Sequence, residues 1–522
     1  MRTSSDFGSA DARAPAINWS AAFAGTMLAL TLARLATLIF AAHELGPDET
    51  QYWFWSLSPD FGYFSKPPFI AWTIAATTTL FGDGEAAVRL AAPLFHAGAA
   101  SAIFLLARDI YGARAGFWAG VSWLLLPGVI VSSAIISTDP PMLMFWSIAL
   151  WAFFRLGKAS GSSRMRLIFA AMLGGALGLG FLSKYAIIYF PIGIIGALIV
   201  SPEMRRNARI IDIALASAIA GAFAAPNIFW NAANEFQTLS HTAANANWGA
   251  DLLHPLELLE FVGAQFGVAG PLILVIMAMS VLSAWGLIRR GEARDPSLRD
   301  RERALTCFIV PVIVIICIQA FLSRAHANWA AAAYPAATVL AAGVALRAAE
   351  TVRKSAAFNA IRLSALLHAI VALVYSAALV SPAFANGIGL GVAFKRLRGW
   401  ERHGAEIAEI ALRATPPYDA IVADDREVLG GLAYYARAAG KPNARFAAFN
   451  SNNRIEHHYE AFHPFTPSRD KLILYVTTNA DAIALTGRFG HIAKVAQSTA
   501  PLGGGGSRTL YVFEARDYLG AP

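Results

Sequence analysis

Eleven stretches of this chain are apolar over lengths that approach the hydrocarbon thickness of a bilayer: residues 17–42, 86–107, 115–137, 140–155, 167–182, 185–200, 209–230, 263–288, 305–323, 328–347 and 360–382. A helix needs about 20 apolar residues to cross that core, so several of the runs are short enough to be partial spans. The first 383 residues therefore read as an all-α polytopic membrane bundle. Composition agrees, since 56% of the 522 residues are hydrophobic, above the roughly 45–50% of a soluble domain.

Charge is distributed unevenly, with 29 charged side chains falling in residues 384–522. That tail alternates β-rich runs, at 420–423, 445–449, 471–476 and 509–513, with helical stretches such as 427–439, which predicts a water-soluble α/β domain. The run Gly503-Gly504-Gly505-Gly506 is expected as a turn between strands. It has no Lys-Ser/Thr and no following helix, so it is a poor phosphate loop.

The formal net charge of +8 could point to nucleic acid in a soluble protein. Here the basic residues form short clusters between apolar runs, the pattern that orients membrane proteins, so nucleic acid is excluded as a partner. Arg108 and Arg114; Arg155, Lys158, Arg164 and Arg166; Arg205, Arg206 and Arg209; residues 289–303; and Arg347, Arg353, Lys354 and Arg362 all fall on one side if eleven spans are counted. That side is expected to be cytoplasmic. Residues 67–81 are too short to span and are read as an interfacial or re-entrant helix. Residues 1–19 carry Arg2, Asp6, Asp11 and Arg13, with no small-residue cleavage site after them, so 17–42 is expected to be a retained anchor. Cys307 and Cys317 lie ten residues apart in one apolar run and imply no disulfide.

The opposite face then carries the loop 43–85, the joints near Asp139 and Lys184, the loop 231–262, the turn Arg324-Ala325-His326-Ala327-Asn328 and the C-terminal domain. Asp48 and Glu49 stand together just after the first span. Ionised groups at a membrane boundary mark functional sites, although two acids also suit the start of a helix. Lys66, in Gly62-Tyr63-Phe64-Ser65-Lys66-Pro67-Pro68, and Lys184, in Gly180-Phe181-Leu182-Ser183-Lys184-Tyr185, are two cations able to grip one phosphate or to snorkel to ordinary headgroups. Asp139, in Thr138-Asp139-Pro140-Pro141, either orients a lysine or a sugar hydroxyl or begins a helix.

Asp48-Glu49-x-x-Tyr52, the Tyr63 to Pro68 segment, Thr138-Asp139-Pro140 and Gly178 to Lys184, in this order, resemble the integral-membrane GT-C glycosyltransferases. The likeness covers residues 20–385 and is greatest to glycosyltransferase family 39, with its protein mannosyltransferase-like enzymes, and to the aminoarabinose and galacturonic acid transferases of lipid A. Arg324-Ala325-His326-Ala327-Asn328-Trp329 with Tyr334-Pro335 is similar to a late region of that family. The resemblance implies a bacterial inner-membrane enzyme that moves a sugar from a polyprenyl-phosphate donor to a lipid or glycan acceptor, such as lipid A, at the periplasmic face.

By motif position, Asp48 would be the catalytic carboxylate with Glu49 beside it. Lys66, Lys184 and Arg324 would hold the donor phosphate, and Tyr52, Tyr63, Asp139 and His326 would position substrate. Aminoarabinose transferases can carry a zinc-binding glutamate before the loop lysine; here Ser65 stands there, so His241 and His254 lack that partner and no metal or other cofactor is expected. Attack by an acceptor hydroxyl on the anomeric carbon, with phosphate leaving, needs one base and cations near the departing charge, and a single displacement would invert the anomeric centre. A protein O-mannosyltransferase and a lipid or sugar transporter are the rival readings. The transporter would show internal repeats, and none is found.

Overall fold

The computed structural model describes residues 17–520 apart from 159–161, 248–252, 289–294, 352–354, 441–443, 451, 453 and 467. Arg2, Asp6, Asp11, Arg13, Arg289, Arg353 and Lys354, discussed above, lie outside the described residues. Among the described residues seven helices are long and apolar enough to cross a membrane: Trp19–Phe40, Glu85–Tyr111, Ser163–Ser183, Ile210–Ala233, Pro296–Leu322, Ala327–Ala349 and Ala356–Val380. The run at 263–288 belongs to an eighth unit, Pro255–Ala269 and Pro271–Ala284, bent by 107°. Gly270 at φ +83° ends the first half and Pro271 opens the second, which accounts for the break.

The other three runs form shorter elements than eleven full spans require. Residues 115–137 divide into Ala113–Leu125 and Pro127–Ser132, because Pro127 cannot continue the first helix. Residues 140–155 lie within Asp139–Leu156, and 185–200 form a 3-10 turn followed by Tyr189–Val200. Residues 67–81 contain the short apolar helix Phe69–Phe81.

The basic clusters meet at one end of the bundle. Arg155 pairs with Asp109 at 3.3 Å, Lys158 donates to the Asp109 carbonyl at 2.9 Å and Arg301 pairs with Glu203 at 2.7 Å. Arg166 pairs with Asp212, and Arg347 with Glu302. Arg155, Arg166, Arg301 and Arg347 are thereby each matched by a carboxylate.

The C-terminal part holds a five-stranded sheet of β1 (Ala420–Ala423), β2 (Arg445–Ala448), β3 (Ile473–Thr477), β4 (Phe489–Gly503) and β5 (Gly506–Tyr518), in the order β2-β1-β3-β5-β4. The β2-β1-β3 half is parallel and the β3-β5-β4 half antiparallel. Gly504 and Gly505 connect β4 to β5 at φ +62° and +83°, the two positive angles that a two-residue hairpin turn matched to strand twist requires. Helices Trp400–Arg413 and Arg426–Gly440 pack on each other beside the sheet.

A single apolar core joins this domain to the loop after the first span. Tyr52, Trp53, Trp55, Ile70 and Val88 pack with Trp400, Leu429, Leu432, Tyr434 and Leu474. Trp53 meets Tyr434 edge-on at 4.8 Å, and the Tyr434 hydroxyl donates to the Asp83 carbonyl at 2.5 Å. Large buried aromatics dominate such contacts, so the loop and the domain are held as one unit.

Candidate active site

Helix Pro47–Ser56 starts where its sequence directs. Gly46 is extended, Pro47 occupies a first-turn position where its missing N–H costs nothing, and Asp48 and Glu49 sit at the positive end of the dipole. Successive helical residues point about 100° apart, and the two carboxylates part accordingly. Glu49 turns inward and is 1% exposed. It accepts from Arg89 Nε at 2.8 Å and Nη2 at 2.7 Å, from the Gly46 N–H at 2.9 Å and from the Ile136 N–H at 3.1 Å. Expected beside Asp48 as part of a catalytic pair, Glu49 instead has both oxygens taken up in fixing the helix to its neighbours.

Asp48 turns outward, its side chain 62% exposed, and accepts from Arg426 Nη1 at 3.0 Å. The same nitrogen reaches Gln51 Oε1 at 3.0 Å. Arg426 opens helix Arg426–Gly440, which can approach helix Pro47–Ser56 closely because Gly430 lacks a side chain: a Cβ there would lie 2.8 Å from Thr50 Oγ1. Tyr52, one helical turn after Asp48, is buried, and burial together with the Asp48 charge pushes its phenol well above the ordinary tyrosine range.

Lys66 is presented by a loop that is tied down on several sides. The Tyr63 hydroxyl donates toward the Trp55 and Ser58 carbonyls at 3.2 and 3.3 Å and accepts from the Asp60 N–H at 3.0 Å, while its ring stacks on Trp55 at 4.7 Å. Tyr63, expected to position substrate, thus serves the loop itself. Trp230 donates to Asp60 Oδ2 at 2.7 Å, Asn227 to the Phe61 carbonyl at 2.6 Å and Thr238 to the Tyr63 carbonyl at 2.7 Å. Among the described residues the Lys66 ammonium has no hydrogen-bond or ion-pair partner. Burial, and next the charge of Lys184, lower its pKa, while Asp48 and Asp139 act in the opposite sense. A desolvated cation with open N–H groups is suited to receive an anion.

Asp139 begins helix Asp139–Leu156, and Lys184 ends helix Ser163–Ser183 in an extended conformation. Lys184 Nζ donates to Asp139 Oδ1 at 2.7 Å, and Asn328 Nδ2 donates to Asp139 Oδ2 at 2.8 Å. Three separate helices are thereby pinned at one carboxylate. Asp48, Asp139, Lys184 and Arg426 all fall within electrostatic reach of Lys66. Arg324 and His326 are exposed in the turn that carries Asn328. Among the described residues Arg324 has no side-chain hydrogen bond or ion pair, and the His326 ring contacts Trp329 at 5.4 Å. The turn reaches the cluster through Asn328 and not through either of these two.

His241 lies in helix Gln237–Ala244 with its ring edge-on to Phe64 at 5.3 Å and Nδ1 beside Asn245 Nδ2 at 3.3 Å. Burial, Lys66 and Arg426 push its pKa down to about 4, so the imidazole is neutral at pH 7. The His254 N–H donates to the Phe321 carbonyl at 2.7 Å. Among the described residues no three of His, Cys, Asp or Glu converge in a manner that would hold a metal ion.

Sequence reasoning gave Arg426, Gln51, Asn328 and Arg89 no role of their own. Arg89 had a visible signal, a charge at the start of an apolar run. Arg426 had none, because nothing local tells Asp424-Asp425-Arg426-Glu427 apart from a solvated helix start.

The fold has known counterparts. The family model for dolichyl-phosphate-mannose-protein mannosyltransferase matches residues 65–230. Lipid A galacturonosyltransferase RgtD of Rhizobium johnstonii is 36% identical over 434 residues, which is 80% of this chain and 86% of that protein. The undecaprenyl phosphate-alpha-4-amino-4-deoxy-L-arabinose arabinosyl transferase of Pseudomonas paraeruginosa is 31% identical over 157 residues, 26% of this chain and 27% of its own. The crystal structure of ArnT from Cupriavidus metallidurans bound to undecaprenyl phosphate superposes with a TM-score of 0.64 at 17% identity, covering 95% of this chain and 98% of that one. The apo form gives a TM-score of 0.63. With a relative this similar over most of both chains, the protein is a multi-pass membrane glycosyltransferase and belongs to the GT-C family that contains RgtD.

Proposed function

We propose that the protein transfers a uronic acid from a polyprenyl-phosphate donor to lipid A at the periplasmic face of the inner membrane, with inversion at the anomeric carbon. The observation that carries this reading is the convergence of Asp48, Lys66, Asp139, Lys184 and Arg426 at one cluster, in a chain 36% identical to a lipid A galacturonosyltransferase. The basic clusters gathered at the bundle's other end support that face, since loops rich in Arg and Lys stay in the cytoplasm.

Asp48 is the outward carboxylate and takes the proton of the acceptor hydroxyl as that oxygen bonds to the anomeric carbon. The bond from that carbon to the phosphate oxygen breaks in the same step, and the lipid phosphate departs with one more negative charge. Lys66, with its open N–H groups, and Lys184, already oriented by Asp139, offset that charge in partly dry surroundings where such contacts are strong. Arg426 and Gln51 set the direction of Asp48. Three cations against two carboxylates leave one net positive charge, which matches the donor phosphodiester; the uronic acid is taken from the likeness to the galacturonosyltransferase. This chemistry calls for no metal.

The test is transfer by purified protein from a set of labelled polyprenyl-phosphate sugars to lipid A. Uronic acid transfer that is lost in Asp48→Asn and Lys66→Ala is expected. Transfer from none of the donors by folded protein, or full activity in both variants, overturns the proposal.

A further inference from the structure

The two lysines proposed to grip the donor phosphate belong to separate elements: Lys66 to the loop after the first span, Lys184 to the end of helix Ser163–Ser183. They stand close enough for the Lys184 charge to act on Lys66. Like charges repel, so their separation must be held by something other than the cations themselves.

A third element bridges the two. Tyr185, the residue after Lys184, donates its hydroxyl to Asn227 Oδ1 at 2.8 Å and accepts from Asn231 Nδ2 at 3.1 Å. Asn227 Nδ2 in turn donates at 2.6 Å to the carbonyl of Phe61, in the Lys66 loop. The Thr238 hydroxyl stands beside that of Tyr185 and donates to the Tyr63 carbonyl at 2.7 Å. One polar node therefore holds the segment of Lys184 against two carbonyls of the Lys66 loop. Asn227, Asn231 and Thr238 are 0, 2 and 0% exposed. Burying such side chains costs free energy unless they are hydrogen-bonded, so packing alone gives no reason for them here. The backbone is also bent to build the node: Glu235 and Phe236, between helices Ile210–Ala233 and Gln237–Ala244, both stand at φ +55°. Left-handed angles at two successive residues with a Cβ are unfavourable and persist where the surroundings hold them. The turn they make brings Thr238 to the loop.

We infer that Tyr185 and Asn227 are positioning residues that set the spacing of Lys66 and Lys184, matching the pair to a single lipid-linked phosphate. The inference deepens the proposed transfer reaction and rests on its phosphate grip. Without the node each lysine keeps its charge, and Lys184 stays tied to Asp139, but the Lys66 loop is free to shift away. The phosphate then meets one cation in place and another that must be brought to it, and the advantage of two donors held in advance is lost.

Full-length protein in detergent is titrated with fluorescent polyprenyl phosphate and with the matching polyprenol, which has the same tail and no phosphate; the readout needs no turnover. Wild type should favour the phosphate at least about tenfold. Tyr185→Phe and Asn227→Leu should each weaken phosphate binding about tenfold and leave polyprenol binding unchanged. The double variant should bind no more weakly than Asn227→Leu, because both changes break one link. Tyr185→Phe removes a single oxygen atom and tests the node independently of how well Asn227→Leu folds. Equal losses for phosphate and polyprenol would make the node ordinary packing and overturn the inference, as would losses that multiply in the double variant. Wild-type phosphate preference in both single variants, with the preference lost in Lys66→Ala, overturns the inference while the phosphate grip stands. No preference in the wild type overturns both. A preference that depends on Tyr185, in protein that transfers no sugar, upholds the inference and ends the transfer proposal.

Discussion

Exchanging each of the adjacent acids 48 and 49 for its amide separates chemistry from architecture. Glu49→Gln removes the charge that faces Arg89 in a buried, doubly hydrogen-bonded pair whose side chains are 2% and 3% exposed. Breaking such a pair by deleting one partner costs about 3–5 kcal/mol. Glu85 also acts on Arg89 and compensates part of the lost charge, so the lower end, about 3 kcal/mol, is expected. That is roughly a hundredfold in the folded-to-unfolded ratio. Asp48→Asn breaks a pair whose Asp48 side chain is 62% exposed, worth about 0–1 kcal/mol after solvent screening. It also removes the proposed base, which should slow transfer by about 10²–10⁴. Thermal melting in detergent and transfer below the melting temperature report the two effects separately. Glu49→Gln should melt well below wild type and keep transfer within about tenfold. The reasoning is refuted if Asp48→Asn melts as low as Glu49→Gln, or if Glu49→Gln melts like wild type and is inactive.

Three further outcomes are expected. Because the Lys66 pKa is lowered by burial and by Lys184, its ammonium loses a proton at a lower pH than an ordinary lysine. Donor affinity should therefore fall on the alkaline side as pH rises through that lowered value, and Lys66→Arg, which stays charged, should extend the plateau in a KM-against-pH series. Lys184→Ala leaves Asp139 with Asn328 as its remaining side-chain partner and should raise the donor KM by about tenfold or more; Asp139→Asn should have a smaller effect, since Lys184 keeps its charge. Gly430→Val must displace helix Arg426–Gly440 from Thr50, and melting and transfer should both fall, whereas Gly387→Ala, where a Cβ meets open space, should leave both unchanged.

The order of motifs along the chain was enough to point to Asp48, Lys66, Asp139 and Lys184, because charges are so costly between apolar runs that few positions compete. It was not enough to separate Asp48 from Glu49: adjacent acids look alike until the helix turns one toward Arg89. The parallel strands and β5 could be read from their apolar runs. The edge strand β4 could not, since many of its residues, such as Lys494 and Gln497, face water and interrupt any apolar run. Helix Trp400–Arg413 did carry a readable signal, with buried Trp400, His403, Gly404, Ile407, Ala408 and Ala411 at helical spacing. Arg426 illustrates the real limit, because its partner lies 378 residues away and local pattern has no access to contacts at that separation.

That separation also sets a clock. A ribosome adding about 5–20 residues per second needs on the order of 20–75 s after making Asp48 before it makes Arg426. During that interval Trp53 and Trp55 lack the partners that will cover them. With Asp48 as the proposed base, oriented by Arg426, each nascent chain is expected to stay inert until its last quarter docks, and a chain cut short by premature termination is expected to leave the proposed donor unspent.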